Sequence, residues 1–300
     1  MVDRSYALYR AGSLAARTVP GPLADAFAEL GGRVAVNASP AKKALVEKNI
    51  RRVVGAEAPQ REVDRLVRLS FADYARYYSE SFRLPDMSVE EIDAGFTCEG
   101  VEHVVEAVAT GTGPILVLPH LGGWEWAGFW LSLVPRVEVT VVVEPLQPPE
   151  LHDWFVKFRE AIGMNVVPLG PDAGKAILRA IKAGHVVCLL SDRSVGEGAA
   201  TEVEFFGEVT KLPMGPAALS LRTGCRLLPT AVYHTEYGVH GVVRPPVTFE
   251  RTDKRLRQDI TAYTQKVTHE LEGLIRRAPE QWHLMQPNWP SDVVEDGADG

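Results

Sequence analysis

The chain of 300 residues is long enough to bury a large core, and 46% hydrophobic and 24% charged residues is a globular composition. No stretch reaches the about 18 consecutive apolar residues that a membrane span needs, and the first residues lack the apolar region of a secretory signal, so we predict a cytosolic protein. The net charge of −7 excludes a generally basic, nucleic-acid-binding chain. Residues 1–83 nevertheless hold 14 Lys/Arg against 9 Asp/Glu, whereas the rest holds 18 against 30. This basic end indicates an anionic membrane surface as a partner, with no nucleic acid.

The N-terminal part is predicted to be helical. A short helix at 5–17 is ended by Pro20-Gly21-Pro22, and a second helix follows at about 23–36. Two interpretations stay open, since such helices either lie in a membrane interface or pack on the rest of the domain. Residues 40–83 predict two or three more helices, the first basic and the last with an aromatic side. The apolar residues of the first two helices are Tyr6, Leu8, Tyr9, Leu14 and Phe27.

From residue 100 onward the pattern alternates between strands and helices. This alternation predicts an α/β fold, with a mainly parallel central sheet covered by helices on both faces and preceded by the N-terminal helices. We expect a single domain over 1–290, comprising a helical part (1–95) and an α/β core (96–290), and a disordered tail over 291–300. Strands are predicted at 115–119, 137–143, 164–169, 186–190, 226–233 and 239–243. Helices are predicted at 100–110, 123–134, 149–162, 172–183, 213–223 and 254–277.

Several common sites are disfavoured by missing motifs. The three cysteines, Cys98, Cys188 and Cys225, are far apart and form no C-x-x-C pair, so free buried thiols are expected rather than disulfides or a zinc site. The absence of G-x-S-x-G disfavours a serine hydrolase. Without H-E-x-x-H or paired histidines, no metal and no other cofactor is expected.

The segment from Pro119 to Glu125 carries the strongest chemical signal. His120 directly follows an apolar strand, and Glu125 follows it by five residues, after Gly122 and Gly123. In open α/β sheets ligands bind at the carboxyl ends of strands. Glycines allow a substrate to approach the backbone closely, and the free N–H groups of the next helix start can face an oxyanion. We therefore interpret His120 as a general base and Glu125 as the carboxylate that orients it.

The helix that follows is apolar on most sides. Its large residues include Trp124, Trp126, Phe129, Trp130 and Leu133. Such a helix either packs in the core or borders a cavity for a long-chain substrate, and both uses are compatible.

Two further clusters lie at predicted strand ends. Glu144 ends a run of valines and is a candidate partner of Arg159, which either forms a salt bridge or holds an anionic group. Asp192 and Arg193 follow the strand at 186–190, and they lie near His120 if the two strands are close.

Together these motifs resemble the lipid A biosynthesis acyltransferase family over about residues 5–290. The motifs are His120-x4-Glu125, the valine run ending in Glu144, Phe158-Arg159 before Gly163, Asp192-Arg193, the segment from Glu202 to Gly207, and Pro279-Glu280-Gln281-Trp282. The chain is most similar to the branch that acylates phosphatidylinositol mannosides, on the basis of Asp192-Arg193, the ending from Trp282 to Trp289 and the missing membrane span.

The resemblance implies a glycerolipid-acyltransferase-like fold and an acyl-CoA-dependent O-acyltransferase. It also implies acyl-CoA as co-substrate, a mannose hydroxyl of a phosphatidylinositol mannoside as acceptor, and peripheral attachment to the cytoplasmic face of the cell membrane. Relatives often have an acidic residue after Asp-Arg, where this chain has Ser194. The acid that pairs with His120 is therefore Glu125, Asp192 or Glu202.

In the expected mechanism His120 deprotonates the acceptor hydroxyl, which attacks the thioester carbonyl. N–H groups near Gly122 and Gly123 stabilise the oxyanion, Trp124 and its helix border the acyl chain, and Arg159 or Arg193 contacts phosphate. The alternatives are an acyltransferase with another acceptor, such as a glycerolipid or another glycoside, and a lipid-binding protein without catalysis. The sequence does not determine acyl length or the acceptor hydroxyl.

Overall fold

The N-terminal part is helical, as expected. A computed structural model describes residues 12–14, 16–144, 149–195, 199–252 and 255–293. Residues 12–14 and 16–18 are helical, and three longer helices follow: α1 (Gly21–Ala35), α2 (Pro40–Val54) and α3 (Gln60–Arg83). The rest of the helix predicted at 5–17 lies outside the described residues.

Helix α1 packs against α3 through its small residues. A Cβ atom on Gly32 would lie 2.3 Å from the main-chain oxygen of Phe71, so only glycine permits this close approach. Its large apolar side chains, Leu23, Phe27 and Leu30, instead face outward and are exposed. Helix α1 thus buries small residues and exposes large apolar ones, whereas a core helix buries its large side chains.

The remaining elements form the α/β part and match most of the expected boundaries. A short helix, α4 (Val89–Ala94), precedes it. Its strands are β1 (Phe96–Glu99), β2 (Ile115–Leu118), β3 (Val139–Val143), β4 (Asn165–Pro168), β5 (Val186–Leu190), β6 (Ala200–Phe205), β7 (Glu208–Pro213), β8 (Leu227–Thr235) and β9 (Gly238–Val243). Its helices are α5 (Val101–Val108), α6 (Trp124–Leu133), α7 (Pro149–Glu160), α8 (Ala173–Lys182), α9 (Gly215–Thr223) and α10 (Leu256–Ile275).

Seven strands form the central sheet in the order β1-β9-β8-β2-β5-β3-β4. Strands β8, β2, β5, β3 and β4 run parallel, whereas β9 is antiparallel to β8 and parallel to β1. The predicted mainly parallel sheet is therefore confirmed. Strand β1 and the separate antiparallel hairpin β6–β7 were not among the predicted strands.

The central strand β2 shows how the layers form. All four of its residues are buried, because successive side chains point to opposite faces and both faces are covered. Ile115 and Val117 belong to the core formed with α8, α9 and α10, whereas Leu116 and Leu118 belong to the core formed with α6 and α7. The two faces are thus covered by helices, as predicted.

The C-terminal segment docks on the N-terminal helices instead of forming a free tail from residue 291. Arg52 of α2 bonds Ser291 and Asp292, at 2.8 Å each, and its guanidinium lies 4.0 Å from the centre of the Trp289 ring. The tail predicted at 291–300 therefore begins too early, and 294–300 lie outside the described residues. Within the described ranges, no helix has the length and apolar character required to cross a bilayer.

Candidate active site

His120 and Asp192 lie side by side because their strands are neighbours. Strands β2 and β5 are parallel and end at Leu118 and Leu190, which lie opposite each other, and His120 and Asp192 each follow two residues later. The Nδ1 atom of His120 lies 2.6 Å from Oδ1 of Asp192, and the main-chain N–H of His120 donates to Oδ2 at 3.0 Å. Of the three candidate acids, Asp192 is the one that contacts the imidazole.

The environment keeps Asp192 ionised although it is fully buried. Burial by itself would raise the pKa of Asp192, but the His120 imidazole and the donated hydrogen bonds outweigh it and lower the pKa below its ordinary value. One of these bonds comes from the indole Nε1 of Trp282, at 2.8 Å from Oδ2. A carboxylate on Nδ1 assigns the proton to that nitrogen and leaves Nε2 as the basic atom.

Glu125 lies at the start of α6 but does not contact the His120 ring. Its carboxylate forms a two-bond ion pair with Arg159, one bond measuring 3.2 Å from Nε to Oε2, and it accepts a bond from Tyr77 Oη at 3.3 Å. The expected orienting role of Glu125 is therefore taken by Asp192. A buried carboxylate needs a paired cation, and Arg159 provides it.

Glu144 and Arg159, predicted as partners, are paired with other residues. Glu144 accepts a bond from Arg193 Nη2 at 2.7 Å. Strands β3 and β5 are neighbours, so the residues that follow them meet at the same edge of the sheet. Both arginines thus have a carboxylate partner beside the site.

Glu202 is not brought to His120. It lies in the hairpin, paired in register with Lys211, and its side chain is exposed. The alternation of β6 buries Val203 and Phe205 on the opposite side. Glu202 is therefore excluded as the acid that pairs with the imidazole.

The two glycines serve packing more than substrate approach. Gly122 has φ +58°, and a Cβ atom there would lie 2.1 Å from the main-chain oxygen of Val232. Its N–H, an expected oxyanion donor, already bonds the main-chain oxygen of Gln281 at 3.0 Å. Gly123 precedes α6 and provides no side-chain cap, so the first turn of α6 keeps N–H groups available to a ligand.

An apolar pocket lies between α6 and the sheet. Its cavity volume is about 90 Å³. Trp124 and Trp130 line it, whereas Trp126 and Phe129 pack in the core, so α6 both packs in the core and borders a cavity. Its charged lining residues are Glu125 and Arg159.

The thiols in the pocket wall are uncharged. The three cysteines are free, as expected, and Cys98 and Cys188 line the pocket. Burial raises the pKa of Cys98 to about 11 and that of Cys188 to about 12. The described lining of the pocket is therefore mostly apolar, and its two thiols are uncharged.

Comparison with known proteins agrees with this arrangement. The model of the bacterial lipid A biosynthesis acyltransferase family matches residues 3–291. A phosphatidylinositol mannoside acyltransferase of Mycolicibacterium smegmatis is 32% identical over 292 residues, covering 96% of this chain and 92% of the relative. One of Mycobacterium tuberculosis is 33% identical over 294 residues, covering 96% of this chain and 89% of the relative.

The chain belongs to the bacterial lipid A biosynthesis acyltransferase family. The resemblance drawn from the motifs is thereby confirmed.

Several residues around the site of this acyltransferase were not predicted to act there. Trp282 bonds the Asp192 carboxylate, Asn288 donates to the Asp192 main-chain oxygen at 3.1 Å, and Tyr77 bonds Glu125. Trp282 and Asn288 belong to the C-terminal segment that carried part of the resemblance, and Tyr77 belongs to an aromatic helix face. The motif resemblance and the aromatic pattern thus identified these segments, but they did not identify the residues that Trp282, Asn288 and Tyr77 contact, because those residues lie far away in the chain.

Among the described residues of this acyltransferase, no group of three or more His, Cys, Asp or Glu is arranged to hold a metal ion.

Proposed function

We propose that this protein transfers a long acyl chain from acyl-CoA to a mannose hydroxyl of a phosphatidylinositol mannoside, with His120 as the general base. The observation that carries the proposal is the His120–Asp192 pair beside an apolar pocket, in a chain of this family. The acceptor is inferred from the names of the two relatives.

The base would act through Nε2 of His120, to which no described residue is hydrogen-bonded. Nε2 takes the proton of the acceptor hydroxyl while the oxygen attacks the thioester carbonyl and forms a tetrahedral intermediate. The C–S bond then breaks, and the CoA sulfur takes the proton from the imidazolium. Asp192 stabilises the imidazolium in between, because it stays ionised and accepts the hydrogen bond that Nδ1–H donates.

The oxyanion of the intermediate would be stabilised at the start of α6. Gly123 leaves the N-terminal turn without a side-chain cap, and the partial positive charge of a helix N-terminus favours an anion there. Arg159, held by Glu125 at the end of the pocket, adds a fixed positive charge. The N–H of Gly122 has no part in this step, since it is already bonded within the protein.

The substrates are assigned to two parts of the site. The acyl chain would occupy the pocket beneath Trp124, where burial of each CH₂ group contributes about 0.8 kcal/mol. Phosphate groups would meet Arg193 or Arg159 at the strand ends. Both guanidiniums already have carboxylate partners, which fix their orientation.

The exposed face of α1 would attach the enzyme peripherally to the cytoplasmic face of the cell membrane. Its large apolar side chains are 54–68% exposed and recur at helical spacing on one side. They are Leu23, Phe27, Leu30 and Val34. Several arginines of this region are paired internally, including Arg17 with Asp86 and Arg83 with Asp25, so the apolar stripe would supply most of the attraction.

Flotation with anionic and neutral vesicles tests this attachment. Replacement of Phe27 and Leu30 by Ser should release the protein from both vesicle types, while turnover of a detergent-dispersed acceptor stays near normal. Continued flotation of the double variant would contradict the assignment of the stripe.

Mass spectrometry of the products tests the reaction itself. Purified protein is incubated with acyl-CoA and a panel of phosphatidylinositol mannosides, glycerolipids and other glycosides. An acylated mannoside together with free CoA is the expected result. Acylation of another acceptor alone would assign a different acyltransferase, CoA release without an acceptor would indicate hydrolysis, and no release would indicate a lipid-binding protein.

A further inference from the structure

A second contact between histidine and aspartate lies near the His120–Asp192 pair. Nε2 of His283 is 2.7 Å from Oδ2 of Asp73 in α3, and Oδ1 of Asp73 is 2.8 Å from Nδ1 of His234. Asp73 therefore holds two imidazoles at once. Burial lowers the pKa of His283 and outweighs the opposing effect of Asp73, so the ring is neutral with its proton on Nε2.

The segment that contains His283 touches both members of the His120–Asp192 pair. The main-chain N–H of His283 donates to the main-chain oxygen of His120 at 2.7 Å, and the preceding residue, Trp282, bonds Asp192. Leu121 and Trp282 also form an isolated antiparallel bridge. Two consecutive residues thus tie the C-terminal segment to the loop that carries the proposed base.

The ring of His283 also supports the indole beside His120. The ring centres of His283 and Trp124 are 5.5 Å apart, and Trp124 meets the His120 ring edge-on at 5.7 Å. The Tyr77 ring also stacks on Trp124, with the ring centres 4.1 Å apart. Only 1% of the His283 side chain is exposed, and within the described part of the chain its Nδ1 has no hydrogen-bond partner. The hydrogen bond from Nε2 to Asp73 therefore orients this ring, together with ring contacts to Tyr74 and Tyr77.

We propose that Asp73 and His283 are positioning residues of the acyl-transfer site. The carboxylate holds the His283 ring, and His283 in turn holds Trp124 and the main chain of His120, so that the proposed base keeps its orientation. The inference rests on the proposed role of His120. A catalytic group misplaced by about 1 Å loses on the order of 10²-fold in rate.

A matched pair of substitutions tests the bond to Asp73. In His283→Gln the side-chain amide nitrogen falls near the position of Nε2 and keeps the bond, whereas in His283→Asn the shorter amide matches Nδ1 and does not reach Asp73. We expect His283→Asn to lower kcat on the order of 10²-fold, with KM for the acyl donor near unchanged. His283→Gln should restore kcat to near the unsubstituted value.

Nuclear magnetic resonance gives a readout that overall stability does not move. The proton shared by His120 Nδ1 and Asp192 should shift in His283→Asn and stay in place in His283→Gln. Normal turnover by folded His283→Asn overturns the proposal, and so do equal losses of kcat in both variants that follow the melting temperature.

Two further variants separate the possible failures. If His283→Asn does not fold, Asp73→Asn, which turns an amide N–H₂ toward one imidazole, should show the same loss of kcat and the same shift of the shared proton. Absence of both effects overturns the proposal. Full activity of His120→Ala would overturn the proposed function itself, whereas an inactive His120→Ala beside a normal His283→Asn overturns only the positioning role.

Discussion

His120 and His234 each contact an aspartate, but they differ in the number of carboxylates around the ring. Each places Nδ1 on an aspartate, at 2.6 Å and 2.8 Å respectively. Nε2 of His120 is free of described hydrogen-bond partners, whereas Nε2 of His234 lies 3.1 Å from Glu80. Burial opposes protonation of His234, but Asp73 and Glu80 outweigh it and raise the pKa to about 10.

The difference shows what converts a histidine into a candidate base. One carboxylate on Nδ1 orients the ring and leaves Nε2 able to take up a proton. A second carboxylate on Nε2 keeps the ring permanently charged at neutral pH, so His234 acts as a buried cation that joins α3 to β8. The largest expected effects therefore concern activity at His120, and stability effects are expected at His234.

Replacement of His120 by Ala should lower kcat on the order of 10²–10⁴-fold, because the general base is lost. Its side chain is only 15% exposed and pairs with the buried Asp192, so a fall in the melting temperature is also expected. Release of CoA measured with an acyl-CoA and the mannoside acceptor checks the rate. Turnover near normal would contradict the assignment of His120.

Replacement of Asp192 by Asn should lower kcat on the order of 10²-fold, because an amide no longer stabilises the imidazolium or assigns the Nδ1 proton. The matched control is Glu125→Gln, which also converts a buried carboxylate to an amide, but at a residue that does not contact the His120 ring. It should disturb the ion pair with Arg159 and the stability, but lower kcat less than Asp192→Asn does. A larger loss of kcat in Glu125→Gln than in Asp192→Asn would reverse the assignment of the orienting acid.

The stability of the protein at alkaline pH is expected to depend on His234. The folded-state pKa of His234, about 10, lies above its ordinary value, so its stabilisation is complete below about pH 6.5 and is lost as pH rises toward 10. The free energy of unfolding should fall by at most about 1.4 kcal/mol per pH unit in this window. Urea unfolding at several pH values measures it. His234→Gln should be less stable at pH 6.5 and should lose this slope, whereas an unchanged slope would contradict the pairing.

Replacement of Glu202 by Gln should have the smallest effect, with kcat and the melting temperature near those of the unsubstituted protein. Its side chain is exposed in the hairpin and takes no part in the carboxylate contacts of either histidine. A large loss of turnover, measured by CoA release, would show that the hairpin reaches the substrate.

Local signals predicted much of the architecture. Strand β5 was predicted with its observed bounds, 186–190, because a short apolar run between a glycine and polar residues is a local signal. Strand β1 was not predicted, because Phe96–Glu99 is only four residues long and only Phe96 is buried, so its sequence signal is weak. The antiparallel direction of β9 was not predicted either, because it depends on which strands lie beside β9, and a local sequence pattern does not specify them.

The amino-acid sequence by itself determined the strand end that bears His120, the apolar helix after it and the family to which the chain belongs. Only the tertiary structure decided that Asp192, not Glu125, contacts the imidazole. The physical reason is the register of β2 against β5, which brings residues 120 and 192 together, while Arg159 draws Glu125 away. Contacts between residues far apart in the chain also decided that His234 contacts two carboxylates and His120 one. The spacing of residues along the chain does not predict this difference.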